Sequence, residues 1–311
     1  MEKTDKQKSD TGRASDTGRA EPLAEPLDFG FIKNPPGAMY SVVTHRLHAW
    51  IAGRSKTSKA KLSETKSTIL FEPGLGGSSL EWLPLTEQLS SDAQVLLYDR
   101  GGYAWSDPGS SPRHIVRLSA ETYLLMQAMQ IDGPIILVGH SYGGLIMRQL
   151  AAIIPNKIQG LVLVDASHED QFTRMSGKGR VAMLPTSRHF VLSAPVLHPG
   201  LREDAKRKIQ AFSRMRKSYT ALHSEISHFG DSCSHISDTR YQFEFPVTVL
   251  SRGTDPHAAG DDGERNQIWN ELQTDLLELS SNSTQVIAEQ SGHHIHIDEP
   301  ELVAQSILQL L

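Results

Sequence analysis

The sequence contains a single cysteine, Cys233, so no disulfide can form within the chain. Stable disulfides belong mainly to oxidising compartments, and their absence favours a reducing one. Long apolar runs are missing too, and none approaches the ~18 residues of a membrane-spanning helix. The first thirty residues lack the apolar central region of a secretory signal. We therefore expect a cytoplasmic protein without a membrane span.

The chain also lacks an excess of positive charge. Its formal net charge is −5, which gives no attraction to nucleic acid or to an anionic membrane, so we expect neither partner. A hydrophobic content of 38% is ordinary for a globular protein, and 311 residues suffice for one large domain. The composition gives no prediction of oligomeric state.

The N-terminal segment has low complexity. The unit SDTGRA occurs at residues 9–14 and again at 15–20, and EPLAEPL follows it with a shorter repeat. Two short polar repeats cannot bury a core, so residues 1–30 are predicted to be a disordered tail. Residues 31–311 are then the folded domain.

The remainder alternates between short apolar runs and amphipathic segments. The run MYSVVTHRLHAWIAG alternates in polarity as a pair of strands does, and SAETYLLMQAMQI has helical spacing with Ser119 as its expected N-cap. Near-continuous apolar runs that alternate with helices predict an α/β fold, in which a mostly parallel central sheet has helices on both faces. The pattern is interrupted at about 167–243, where a helical insertion is expected. The apolar runs are STILFEPG, AQVLLYDRGG, PIILVGHS, GLVLVDASHED and FPVTVLSRG.

The segment Gly139-His140-Ser141-Tyr142-Gly143 lies between one of these runs and a helical pattern. A strand that turns directly into a helix brings backbones together, and glycine avoids the resulting collision. The serine between the glycines is expected in a strained backbone conformation, with its hydroxyl at the tip of the turn. G-x-S-x-G alone is a weak signal, but here the required strand precedes it and the required helix follows.

With this motif, the chain resembles the α/β-hydrolase superfamily, in particular its soluble esterase, haloperoxidase and epoxide-hydrolase-like branch with a serine nucleophile. The resemblance covers about residues 39–311. It implies the α/β-hydrolase fold, with the insertion at about 167–243 as a cap over the pocket. Five motifs carry it in the family's order: FEPGLGGSS, YDRGGYAWSDPG, GHSYGG, LVLVDASHEDQ and SGHHIHIDEPELV.

The resemblance implies Ser141 as the nucleophile and His293, in SGHHIHIDEP, as its base. His294 and His296 are expected to pack in the same loop, with a smaller chance for each of being the base. Three histidines within four residues also raise the question of a metal site. No carboxylate or cysteine ligand pattern accompanies them, so we expect no metal ion.

The acid of the triad is less clearly marked. The family usually places it after the strand that follows the cap, where VTVLSRGTDP offers Asp255, although the spacing after Gly253 is short. A minority of relatives place the acid one strand earlier, which is the position of Asp165 in LVLVDASHED. Asp255 is preferred, Asp165 is the alternative, and Asp261 or Asp262 is a third choice.

The oxyanion hole that the family uses is expected from two backbone N–H groups, those of Tyr142 and Leu75. Many relatives have a histidine where this chain has Pro73. The glycines around Leu75 lack the spacing of a phosphate-binding loop, so no cofactor is expected. Asp99 and Arg100, in YDRGG, are expected to form a structural ion pair.

Together these features predict a serine hydrolase that forms an acyl-enzyme. Its substrate is a small-molecule carboxylic ester, lactone or thioester of small to medium size. Two alternatives stay open: non-hydrolytic chemistry on the same triad, as in a lyase or a perhydrolase or haloperoxidase-like enzyme, and a ligand-binding receptor with slow turnover.

Overall fold

A computed structural model describes residues 34–52, 67–175, 197, 201–239, 241–253 and 263–311. The predicted tail at 1–30 lies outside these residues. The strands of the described chain are β1 (Ala38–Val42), β2 (His45–Ala52), β3 (Thr68–Glu72), β4 (Gln94–Tyr98), β5 (Ile135–His140), β6 (Ile158–Val164), β7 (Val247–Arg252) and β8 (Ser283–Ala288).

These strands form one sheet in the order β1-β2-β4-β3-β5-β6-β7-β8. The strand β2 pairs antiparallel with β1 and with β4, and every other described pairing is parallel. Every residue of β3 and of β5 is buried, as expected for central strands covered on both faces. The predicted α/β fold with a mostly parallel sheet is confirmed.

Helices of the described chain pack on both faces of this sheet and on the loops at one of its edges. They are α1 (Leu83–Leu89), α2 (Ile115–Ala128), α3 (Tyr142–Ile153), α4 (Gln171–Met175), α5 (Glu203–Ser213), α6 (Arg216–Ser227), α7 (Phe229–Thr239), α8 (Gly263–Asp275), α9 (Ile295–Asp298) and α10 (Pro300–Leu308).

Two apolar cores follow from the alternation of side chains along each strand. In β3, Leu70 joins the core beneath α2 and α3, whereas Ile69 and Phe71 join the core beneath α1 and α10. Successive strand residues point to opposite faces, so a continuous apolar run supplies both cores at once.

The prediction that Ser119 is an N-cap was wrong. The helix α2 begins at Ile115, and its N-cap is His114, whose ring nitrogen accepts a hydrogen bond from Val116 N–H at 3.2 Å. Buried Ile115 and Leu118 extend the apolar face by a full turn toward the N-terminus. Ser119 is therefore an interior residue whose hydroxyl bonds back to the Val116 carbonyl.

Between β6 and β7 the described residues form the helices α4 to α7 in place of a direct connection. Lys217, at the start of α6, donates to the carbonyls of Ala104 and Ser106 at 2.6 Å each. The side chain of Leu222 lies 3.8 Å from the position that a Cβ atom on Gly76 would take. The insertion thus packs onto the loops at the carboxyl ends of β3 and β4. None of the described helices has the length and apolar character needed to cross a bilayer.

Candidate functional site

The turn between β5 and α3 holds Ser141 in the left-handed region, with φ of 51° and ψ of −123°. A Cβ atom on Gly139 would lie 2.7 Å from the Gly143 carbonyl oxygen, and one on Gly143 would lie 2.4 Å from the Glu72 carbonyl oxygen. No real Cβ approaches backbone so closely, so both positions require glycine. The steric interpretation of the two glycines is confirmed.

His293 lies in the loop before α9, and its Nδ1 is 2.6 Å from Oδ2 of Asp165. Asp165 follows β6 directly, is fully buried and has a positive φ of 39°. Its second oxygen, Oδ1, accepts a hydrogen bond of 2.8 Å from the indole Nε1 of Trp269 in α8. Arg252 adds an ion pair at 3.7 Å and lies over the Trp269 ring. Both carboxylate oxygens are therefore engaged, and this fixes the side chain that faces His293.

Asp255, the preferred acid, lies outside the described residues, as do Asp261 and Asp262. In the described chain, the carboxylate against His293 belongs to the alternative, Asp165. Since β5 and β6 are neighbours in the sheet, their carboxyl ends bring Ser141 and Asp165 to the same edge. The Ser167 N–H also donates to the Ser141 carbonyl at 3.0 Å, which joins the two turns.

The imidazole of His140 lies beside His293, with ring centroids 4.7 Å apart. Its Nε2 donates to the His293 carbonyl at 2.8 Å, so the residue before Ser141 holds the backbone of His293. Burial and the neighbouring histidines hold the pKa of His140 well below its usual value, so its ring is neutral. Within the described residues, no hydrogen bond joins Ser141 Oγ to His293. In free enzymes this bond is often long and tightens only when substrate is present.

The loop after β3 passes against the serine turn. A Cβ atom on Gly74 would lie 3.1 Å from His140 Nδ1 and 3.2 Å from the Ser141 Cβ. Leu75 follows at once, so its N–H belongs to the backbone that borders the serine. Tyr142 is the first residue of α3, where backbone N–H groups have no partner within the helix. The two expected oxyanion donors thus lie on segments that contact each other at Ser141.

Arg100 holds this loop from behind. Its Nη1 donates to the Pro73 carbonyl and its Nη2 to the Gly74 carbonyl, each at 2.7 Å. The guanidinium also pairs with Glu72 and, at 3.2 Å, with Glu225 of α6. The predicted ion pair between Asp99 and Arg100 was wrong, because neighbouring residues at a strand end point to opposite faces.

Glu225 lies at the centre of a buried charge cluster that also contains Glu72, Arg100, Arg113 and Tyr103. Its carboxylate accepts bonds from Arg113 at 2.8 and 3.1 Å and from the Tyr103 hydroxyl at 2.8 Å. Burial alone would raise the pKa of Glu225, but the two arginines outweigh it and the pKa falls below its usual value. For Glu72 the effect of burial exceeds the attraction of Arg100, and the pKa of this carboxyl rises to about 7.

Asp99 has a different set of partners. It is fully buried, and Oδ2 lies 2.9 Å from His48 Nδ1, while Oδ1 accepts bonds from Ser79 N–H at 3.0 Å and from its hydroxyl at 2.6 Å. The carboxylate therefore ties β2 and the turn before α1 to the end of β4, away from Ser141.

Sequence reasoning missed two side chains that contact the residues of the candidate site and hold them in position. Neither Glu225 nor Trp269 belongs to a motif, and each is more than 100 residues from the side chain that it contacts. One usable signal was present for Asp165, since LVLVD places a carboxylate after a strand whose last five residues are buried, and a carboxylate rarely stays buried without a partner.

Three other histidines of this region lie close together. They are His140, His294 and His296, and each offers one ring nitrogen. These three nitrogens lie within 4.8 Å of one another. Sequence reasoning considered only the C-terminal histidines as metal ligands, because nothing in the spacing connects them with His140.

Comparison with known proteins agrees with this fold. Residues 67–187 match the family described as the alpha/beta hydrolase fold. The chain is similar to YqjL of Bacillus subtilis (strain 168), at 28% identity over 244 residues, which is 77% of this chain and 81% of that protein. It is also similar to an AB hydrolase superfamily protein of Gibberella zeae, strain PH-1, at 23% identity over 78% of this chain and 85% of that one.

Among solved structures, the enol-lactonase from Burkholderia xenovorans LB400 superposes with a TM-score of 0.62. The match covers 88% of this chain and 99% of the lactonase, at 17% sequence identity. The sheet order, the glycine-flanked serine turn and these similarities agree, and the described chain has the α/β-hydrolase fold.

Proposed function

We propose that this protein is a serine hydrolase that cleaves a carboxylic ester, lactone or thioester of a small to medium apolar compound. The observation that carries the proposal is the serine turn, in which Ser141 is held at a positive φ beside a histidine whose Nδ1 contacts a buried carboxylate. A tight turn without function would need neither the strain nor the buried acid. The match of residues 67–187 to the alpha/beta hydrolase family supports the same reaction class.

The triad we propose is Ser141, His293 and Asp165. Asp165 accepts a hydrogen bond from the Nδ1–H of His293, which leaves the unprotonated Nε2 to act as the base. It then stabilises the imidazolium that forms when His293 takes the serine proton. The bonds from Trp269 and Arg252 fix the carboxylate, so the orientation of the imidazole is set before substrate arrives.

In the proposed reaction, Ser141 Oγ attacks the carbonyl carbon while His293 Nε2 accepts its proton. The N–H groups of Tyr142 and Leu75 hold the oxyanion of the tetrahedral intermediate. His293 then protonates the departing alcohol or thiol, and an acyl-enzyme remains. A water molecule attacks this ester by the same two steps and releases the acid, which restores the serine. No cofactor takes part.

The helices between β6 and β7 are proposed to act as the cap, which makes residues 167–243 the insertion that roofs the pocket. The contacts of Leu222 with the loop after β3 and of Lys217 with the loop after β4 support this proposal, because these parallel strands and β5, which precedes Ser141, end at the same edge of the sheet. The fold is shared with an enol-lactonase, which makes lactones suitable first substrates.

The test combines fluorophosphonate labelling with turnover of a panel of p-nitrophenyl esters and lactones. We expect labelling and turnover in the wild type, and loss of both in Ser141→Ala and His293→Ala. Asp165→Asn should lower kcat by about 10⁴-fold, as loss of the triad acid does elsewhere. The matched control is Asp255→Asn, which should retain turnover within tenfold. The reverse result for the two aspartates would assign the acid to Asp255.

The two alternatives give different results in the same experiment. A labelled serine with negligible ester turnover, together with elimination or perhydrolysis, would identify non-hydrolytic triad chemistry. A folded wild type that takes no label, but whose melting temperature rises with a ligand, would identify a receptor.

A further inference from the structure

We infer that His140, His294 and His296 form a binding site for a zinc ion directly behind the proposed base. The three residues come from two distant segments, the end of β5 and the turn that begins α9. One ring nitrogen from each lies within 4.8 Å of the other two. Imidazole nitrogen is a preferred ligand of Zn²⁺, and three histidines with an open fourth position make a known type of zinc site.

The His140 ring has one nitrogen that is available as a metal ligand. Its Nε2 must carry the proton, because it donates to the carbonyl of His293. Nδ1 is then a bare lone pair, and in the described part of the chain this buried atom has no hydrogen-bond partner. A buried acceptor without a donor costs about 1–3 kcal/mol. Histidines that bind metals commonly donate their other N–H to a backbone carbonyl, as His140 does.

His294 and His296 lie close enough to His140 to bind the same ion. The ring centroid of His296 is 4.4 Å from that of His140, and that of His294 is 5.3 Å away. His296 is fully buried and packs on the Trp82 ring at 4.3 Å, which limits its rotation. His294 is half-buried and gives an ion a route from solvent. No carboxylate is needed, since three neutral imidazoles and a water complete a tetrahedron.

Binding would tighten the cluster. Nitrogens about 2.0–2.1 Å from a tetrahedral zinc are roughly 3.3 Å apart, so the present separations of up to 4.8 Å must shrink by roughly an ångström. His294 follows His293 directly, and the His293 carbonyl is bonded to His140. The contraction therefore moves the backbone of His293 and pulls its Nδ1 from Asp165. Zinc is thus expected to inhibit the hydrolase, and this consequence rests on the proposed function, whereas zinc binding does not.

The test uses the full chain without a histidine tag and titrates Zn²⁺ by calorimetry and against a chromophoric chelator. The wild type should bind one zinc per chain. Loss of a residue that only hydrogen-bonds to a metal ligand already costs ~10–100-fold in metal affinity. The variants His294→Ala and His296→Phe each lose a ligand itself, so each should bind zinc at least tenfold more weakly. Phenylalanine keeps the contact with Trp82, and His294→Ala removes only a half-buried ring, so one variant remains decisive if the other fails to fold. His223→Ala, on the exposed side of α6, is the matched control and should bind as the wild type does.

X-ray absorption at the zinc edge should give three nitrogen neighbours at about 2.0 Å, and Mg²⁺, which prefers oxygen ligands, should not compete. Absence of zinc binding in the wild type would overturn the inference, and so would equal binding in all three variants or a shell of oxygen alone. If the wild type has no esterase activity, the binding results still decide the site. If it is active, zinc should inhibit the wild type and should inhibit His294→Ala at least tenfold more weakly.

Discussion

Replacement of Glu225 by glutamine should strongly destabilise the fold, because the charge cluster beneath the loop after β3 would lose the anion that two arginines share. Arg113 donates to Glu225 through both Nε and Nη2, and in the described chain its remaining nitrogen, Nη1, has no partner. Arg100 keeps Glu72 but loses its second carboxylate. Glu225→Gln thus leaves the Arg113 guanidinium buried, with 1% of its side chain exposed, and without the carboxylate to which it is hydrogen-bonded.

The expected loss is ~3–5 kcal/mol in the free energy of unfolding, the usual cost of removing one partner from a buried ion pair. That is a large fraction of the ~5–15 kcal/mol by which a protein is stable. Urea denaturation at pH 7, followed by circular dichroism, measures it, with Thr220→Ser on the exposed face of α6 as the control. The double variant Glu225→Leu/Arg113→Met should recover much of the loss, because it replaces both charges by apolar groups.

The single variant Glu225→Gln should also affect the proposed chemistry. Arg100 holds the Pro73 and Gly74 carbonyls, which precede the proposed donor Leu75. We expect kcat/KM to fall at least tenfold, mostly through kcat, since loss of a whole oxyanion donor costs ~10²–10³-fold. A loss below 1 kcal/mol with unchanged kcat would refute the reasoning, because the arginines would then be compensated without Glu225.

Three further results are expected. Burial raises the pKa of Glu72 from 4.5 to about 7. The protonated carboxyl therefore stabilises the fold fully below pH 4.5, and this contribution, about 3 kcal/mol, is lost as the pH rises through 7. The free energy of unfolding of Glu72→Gln should depend less on pH over this range than that of the wild type, and equal slopes would contradict the assignment. Gly143→Ala should lose both activity and several degrees of melting temperature, whereas Gly230→Ala, where an added Cβ meets nothing within 4 Å, should be neutral or stabilising by up to ~1 kcal/mol. Burial raises the pKa of the Cys233 thiol to about 12, so its reaction with a thiol reagent at pH 8 should be over 100-fold slower in the native protein than in urea, and comparable rates would contradict its burial.

The sequence was sufficient for those features that depend on neighbouring residues. The parallel sheet follows from apolar runs such as IILV in β5, and the serine turn follows from two glycines whose steric role is local. The start of α2 was misjudged because a serine is a common cap, while the apolar face that begins at Ile115 decided the boundary.

The contacts between distant segments could not be obtained in this way. His293 lies 128 residues from Asp165 in the chain, and Arg100 lies 125 from Glu225. Several aspartates had comparable motif positions, and the adjacency of β5 and β6, which brings Asp165 to the same edge as Ser141, is a property of the sheet that no motif shows. The second carboxylate that pairs with Arg100, Glu225, comes from the insertion, whose sequence has no motif that would identify a buried carboxylate.

Ser141 and Asp165 share a backbone feature with a consequence for protein engineering. Both have a positive φ, 51° and 39°, in a region that glycine adopts without strain and that other residues enter at a cost of about 1–3 kcal/mol. A redesign that scores only backbone strain would therefore choose glycine at both places, although this would delete two members of the proposed triad and, at 165, the acceptor of the Trp269 Nε1–H bond. Stability optimisation of this scaffold has to hold positions 141 and 165 fixed, since relief of the backbone strain there removes the proposed chemistry.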